Sequence, residues 1–67
     1  MQRRIVEGYI AQIDGKRGAY GATFPDLPGC TAMGETVDTA LTNAAVALRD
    51  WIDVMREAGY KAPHPRR

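Results

Sequence analysis

Between Arg4 and Ile13 the chain is dense in β-branched and aromatic residues. Ile5, Tyr9, Ala11 and Ile13 share one parity, while Val6 and Ile10 fall on the other. That pattern predicts a strand with apolar side chains on both faces. Asp14-Gly15-Lys16-Arg17-Gly18 follows, and Asp-Gly predicts the hairpin turn because both residues tolerate positive φ. A second strand runs from Ala19 to Phe24, with Tyr20, Ala22 and Phe24 on one side and the small Ala19, Gly21 and Thr23 on the other. Small side chains on one face allow close approach of another layer or subunit. Pro25-Asp26-Leu27-Pro28-Gly29 ends the strand, with Pro28-Gly29 suited to the centre of a type II turn. Cys30 to Gly34 is long enough for a short third strand.

The period then changes. Val37, Leu41, Ala44, Leu48, Trp51, Ile52 and Met55 recur at helical spacing and form one apolar stripe. Thr36 is the expected N-cap, and Asp38 in the first turn complements the helix dipole. The reciprocal capping box is missing because Thr39 stands where Glu or Gln would be needed. Ala40, Ala45 and Ala47 raise helix propensity, Gly59 stops the helix and Pro63 prevents its resumption. A helix of about 22 residues, roughly 33 Å long at 1.5 Å per residue, follows. The expected fold is α+β: a small antiparallel three-stranded sheet followed by one long helix packed on one face. It would form a single domain over residues 1–67, with 61–67 a flexible tail.

Sixty-seven residues constrain what can hold such a domain together. A core this small rarely supplies more than about 3–5 kcal/mol. The usual reinforcements are disulfides, a metal or further copies of the chain. Cys30 is the only cysteine and His64 the only histidine, so an intrachain disulfide is excluded and a structural zinc site is not expected. Oligomerisation remains, as a dimer or tetramer, and burial of the sheet's bare face or edge is its simplest basis. No apolar run approaches the roughly 20 residues that span a bilayer, and the N-terminus shows no signal-peptide stretch. With a lone thiol, these features point to the cytoplasm.

The net charge of +1 conceals an uneven distribution. Arg3, Arg4, Arg66 and Arg67 lie at the ends, whereas the body from Ile5 to Pro65 has five basic residues against eight acidic ones, a net of −3. An acidic body is poorly suited to phosphate binding and well suited to a basic protein partner.

Candidate chemistry is sparse. Asp50, Asp53 and Glu57 lie along one side of the helix, opposite Trp51 and Met55, and read as a solvated face. Arg49 and Asp53 are ordinary i,i+4 neighbours on it. Cys30 and His64 could be drawn as nucleophile and base, but no third group orients the histidine. Cys30 reads better as a small buried apolar residue. Gly15, Gly18 and Gly21 belong to a hairpin rather than to a strand-to-helix phosphate cradle. No catalytic, cofactor or metal residue is assigned. The segment from Pro25 to Gly29 is the most distinctive local feature, either as a turn or as a contact loop.

The string Tyr20-Gly21-Ala22-Thr23-Phe24-Pro25-Asp26-Leu27-Pro28-Gly29-Cys30 is followed by Ala32, Gly34-Glu35-Thr36, Ala40, Asn43-Ala44, Ala47-Leu48 and Trp51. Together they resemble the HicB-like antitoxin domain of type II toxin–antitoxin systems, from about Tyr9 to Pro65. Thr39 departs from the Glu often found there. The resemblance implies a partial RNase H-like fold without the catalytic carboxylates, and hence no enzyme. It further implies a protein that binds a small basic HicA-type toxin, built like a double-stranded-RNA-binding domain, and blocks its mRNA cleavage. Family antitoxins commonly continue into a DNA-binding segment. Since this chain stops soon after its helix, no dedicated DNA-binding domain is expected.

The motif does not specify toxin contacts. The acidic Asp26, Glu35 and Asp38, near the loop and the helix start, are the partner-binding candidates. An orphan homo-oligomeric structural or regulatory domain without a toxin is the alternative. Nucleic-acid binding by an oligomer would require the terminal arginines to converge.

Overall fold

The computed structural model describes residues 2–61. Four antiparallel strands form a meander in the spatial order β1-β2-β3-β4: β1 (Gln2–Val6), β2 (Tyr9–Lys16), β3 (Ala19–Thr23) and β4 (Thr31–Gly34). Helix α1 (Val37–Glu57) follows and packs chiefly on β4 and β3. The α+β class and the sheet-then-helix order agree with expectation. The strand number does not.

The stretch from Arg4 to Ile13 is two strands rather than one. It folds back at Glu7 (φ 50°) and Gly8 (φ 88°), and Val6 and Tyr9 close the two-residue loop. Two successive positive φ values define a type I′ turn, whose twist matches that of the flanking strands. Glu is a poor turn former at such a φ, which hides the turn in the sequence. The turn also resolves the two-faced pattern. Val6, Tyr9, Ala11 and Ile13 all join the core, while Ile5 and Ile10 pair on the outer face.

The second hairpin turn lies at Arg17-Gly18, not at Asp14-Gly15, because Lys16 pairs with Ala19. That register sets Ile13 beside Ala22, both buried. A turn at Asp14-Gly15 would instead set Ile13 opposite Lys16. Since register decides which side chains reach the core, apolar pairing overrides the local Asp-Gly signal. Gly15 keeps a special backbone (φ 107°), and a Cβ there would run into the Ala19 carbonyl oxygen.

Two fused turns join β3 to β4. The Phe24 carbonyl accepts from Leu27 N–H at 3.0 Å, and the Leu27 carbonyl accepts from Cys30 N–H at 2.9 Å. Gly29 at φ 84° behind Pro28 gives the expected type II geometry. The loop turns Leu27 inward to complete burial.

Thr36 caps α1 as expected, its Oγ1 accepting from Thr39 N–H at 3.1 Å. The line of deepest burial on the helix is Ala40, Ala44 and Leu48, with Val37, Leu41, Trp51 and Ile52 partly buried beside it. Ala40 is therefore a packing residue: it is fully buried, and its backbone lies so close to Gly34 of β4 that a Cβ on that glycine would strike it. The expected tail, apart from Lys61, lies outside the described residues.

Candidate docking groove

The helix is fixed to the sheet on two sides. On the β4 side, the Asn43 side-chain amide donates to the Met33 carbonyl at 2.7 Å. On the β1 side, Arg49 pairs with Glu7 of the first turn, Nε to Oε2 at 3.1 Å and Nη2 to Oε1 at 3.4 Å. Both groups of this pair are well exposed, so its contribution is under about 1 kcal/mol. Arg49 thus meets Glu7 across the fold rather than acting only within the helix. Near the C-terminal end of α1, the Trp51 indole N–H donates to the Pro28 carbonyl at 3.1 Å. The proline loop and the last turns of the helix are held together by this bond.

An open groove of about 360 Å³ lies at that junction. The loop and the start of β4 supply Gly29, Cys30 and Thr31, and the helix supplies Ala47, Asp50, Trp51, Val54 and Met55. Its volume is at the small end of the roughly 300–1,000 Å³ typical of ligand clefts, which leaves room for a few side chains. Cys30 is buried, and desolvation raises its thiol pKa above the ordinary 9.0. It is a packing residue, as its sequence context suggested. Val54 is 62% exposed on the groove wall.

Helical residues advance by roughly 100° each, so the flanks of α1 differ in charge. Asp50, Val54 and Glu57 share the flank that borders the groove, whereas Arg49 and Arg56 lie on the flank facing the first turn. Asp53 sits on the crest between them. The acidic residues read as a plain solvated face therefore include one that lines the groove.

The three partner-binding candidates are not brought to one place. Asp26 is half-buried in the β3–β4 loop, which is tied to Trp51 through Pro28. Glu35 and Asp38 are exposed at the opposite end of the helix, about 20 Å away by the helical rise between positions 38 and 51. The Glu35 main-chain carbonyl accepts from Gly18 N–H at 2.9 Å. Sequence reasoning missed Ala47, Asp50, Trp51, Val54 and Met55 as a groove because Trp51 and Met55 sat on the apolar stripe. Val54 was the available signal: it is apolar, lies off the stripe, and is more than half exposed on the groove wall.

Among the described residues, no three His, Cys, Asp or Glu side chains cluster as metal ligands, and no helix is long and apolar enough to cross a membrane. The architecture defines a small α+β module whose described surface offers an apolar groove. Residues 9–67 match the family described as HicB-like antitoxin of bacterial toxin–antitoxin system, and the chain belongs to that family. It is similar to the UPF0150 protein Ta0767 of Thermoplasma acidophilum, with 37% identity over 46 residues, covering 69% of this chain and 67% of that protein. No solved structure matches.

Proposed function

We propose that this chain is an antitoxin that neutralises a HicA-type mRNA interferase by protein–protein contact. Family membership over residues 9–67 is the observation that carries the reading. The acidic body supports it, because a toxin that grips RNA presents a basic surface. Neutralisation in this reading is steric and electrostatic: the antitoxin covers the surface that would hold RNA. Asp26, Glu35 and Asp38 are retained as contact residues, Asp26 belonging to a different contact from the other two. A cytoplasmic homo-oligomer of one-domain subunits, with a partial RNase H-like fold, completes the proposal.

The test is a titration of a purified HicA-type toxin with this protein, read as binding heat and as RNA cleavage. Stoichiometric loss of cleavage is expected, and no binding at micromolar concentration would count decisively against the reading.

The alternative, an orphan homo-oligomer, draws on the outer sheet face. Ile5 and Met33 are 61% and 68% exposed there, and Ile10 lies beside Ile5. Self-association with no effect on the toxin would favour it.

A further inference from the structure

The outer edge of β4 and the groove are parts of one surface. β4 pairs with β3 alone, and among the described residues no strand lies beyond it. Along an edge strand the backbone groups point alternately to the neighbour and away. Phe24 N–H donates to the Cys30 carbonyl at 3.2 Å, so Cys30, Ala32 and Gly34 bond inward, and Thr31 and Met33 point outward. The Asn43 amide on the Met33 carbonyl agrees with that alternation and takes up that acceptor, so an added strand would bond at Thr31 and at the Met33 N–H. Thr31 both belongs to the outward set and lines the groove.

Apolar surface flanks this edge on both faces of the sheet. Val54, Trp51 and Ala47 stand on the helix side, and the exposed Met33 side chain stands on the other. A strand laid along β4 would send its side chains alternately to these two surfaces. The rim beyond is acidic, with Asp50 on the groove and Glu57 two turns further on the same flank.

We infer that the edge of β4 takes one extended segment of a basic partner protein as a fifth strand. Its apolar side chain fills the groove over Trp51, and a lysine or arginine meets Asp50. Charge decides between occupants. A second copy pairing through its own β4 would bring the same acidic flank against itself, which like-charge repulsion opposes. The chain's own β1, with Arg3 and Arg4, has suitable chemistry. Its use would join copies head to tail, and such contacts need not close. The inference rests on the antitoxin reading and names the place where the toxin docks.

The probe is a purified HicA-type toxin, titrated against the intact chain and three variants. Thr31→Pro removes an outward-pointing donor at the edge, and Val54→Arg fills the groove wall with a positive charge. Ile5→Ser alters the outer face on β1, at the opposite edge of the sheet. Far-UV circular dichroism checks that each variant is folded. Val54→Arg carries the test if Thr31→Pro does not fold, because Val54 is exposed. The two groove variants should bind at least tenfold more weakly than the unaltered chain, with Ile5→Ser unchanged.

Equal binding by the groove variants would overturn the inference and leave the antitoxin reading standing. No binding by the unaltered chain would overturn both. If the groove variants instead shift the molar mass of the chain measured without toxin, a second copy occupies the edge, and the proposed occupant is wrong.

Discussion

Adding one methyl group at Gly34 should cost more than adding it at any other glycine whose φ is negative. A Cβ built there would strike the Ala40 backbone nitrogen and lie 2.8 Å from both the Ala40 Cα and the Thr39 carbonyl carbon. All three are main-chain atoms in the first turn of α1, so no rotamer change relieves the clash; the helix itself must move. Overpacking by a single methyl group costs about 1–3 kcal/mol, and rigid neighbours place this case at the upper end. Alanine stiffens the unfolded chain and returns about 0.4–1 kcal/mol. The net loss is about 2 kcal/mol, or a melting temperature lower by about 10–15 °C for a domain of this size.

Two other glycines calibrate the experiment. A Cβ at Gly21 meets nothing closer than 4.0 Å, so Gly21→Ala should be neutral or stabilising by a few tenths of a kcal/mol. Gly18 has open space but φ of 87°, so Gly18→Ala carries only the left-handed backbone cost of about 1–2 kcal/mol. Thermal melts followed by far-UV circular dichroism, all at one protein concentration because association shifts apparent stability, give the ranking. If Gly34→Ala melts at or above Gly21→Ala, the close approach of β4 to α1 is wrong.

Other outcomes follow from single contacts. Leu48 is 1% exposed in the core, and Leu48→Ala should cost about 2–5 kcal/mol, enough to leave most of the protein unfolded in a denaturant titration. Removing the helix cap with Thr36→Ala should lower the urea midpoint by the equivalent of about 1 kcal/mol. Burial raises the Cys30 thiol pKa above 9.0, so the folded state holds that proton longer than the unfolded state. The stability tied to this thiol is whole below pH 9 and falls as pH rises through the folded-state value. Urea midpoints measured from pH 7 upward should therefore decline more steeply for the unaltered chain than for Cys30→Ala, and parallel curves would refute the cause.

Much of the helical half was legible because its signals are local. Thr36, the apolar stripe and Gly59 bracket an element that runs from Val37 to Glu57, within about a residue of the reading. Pro28-Gly29 dictated its turn for the same reason: proline fixes one φ and glycine accepts the other. The sheet was harder, because its turns are chosen by pairing between distant residues. Asp14-Gly15 is the stronger hairpin dipeptide, yet it lies within β2. Glu7-Gly8, a weak signal, makes a type I′ turn. One clue to that first turn was present, namely the change of parity between Val6 and Tyr9, which a two-residue loop converts into a single inward face. The groove was hidden for another reason. Trp51 and Met55 satisfy the core periodicity whether or not anything covers them, and only the packing of α1 toward the β4 side of the sheet exposes their outer surface.

That placement links the stability of the module to the shape of its groove. Gly34 lets the start of α1 close onto β4, Asn43 holds the next turn to Met33, and the Trp51–Pro28 bond fixes the far end. With three attachments along one strand and its loop, α1 has little freedom to rock without breaking a hydrogen bond. A methyl group at Gly34 lifts one end while Trp51 holds the other, so the helix should pivot and change the width between Thr31 and Val54. Gly34→Ala ought then to weaken partner binding even at temperatures where it remains fully folded. Thr36→Ala, which loosens the cap without adding bulk at the strand, should leave binding intact under the same conditions. Toxin titrations of both variants well below their melting temperatures separate the two effects. Equal affinities would mean that the groove does not depend on how closely the helix seats.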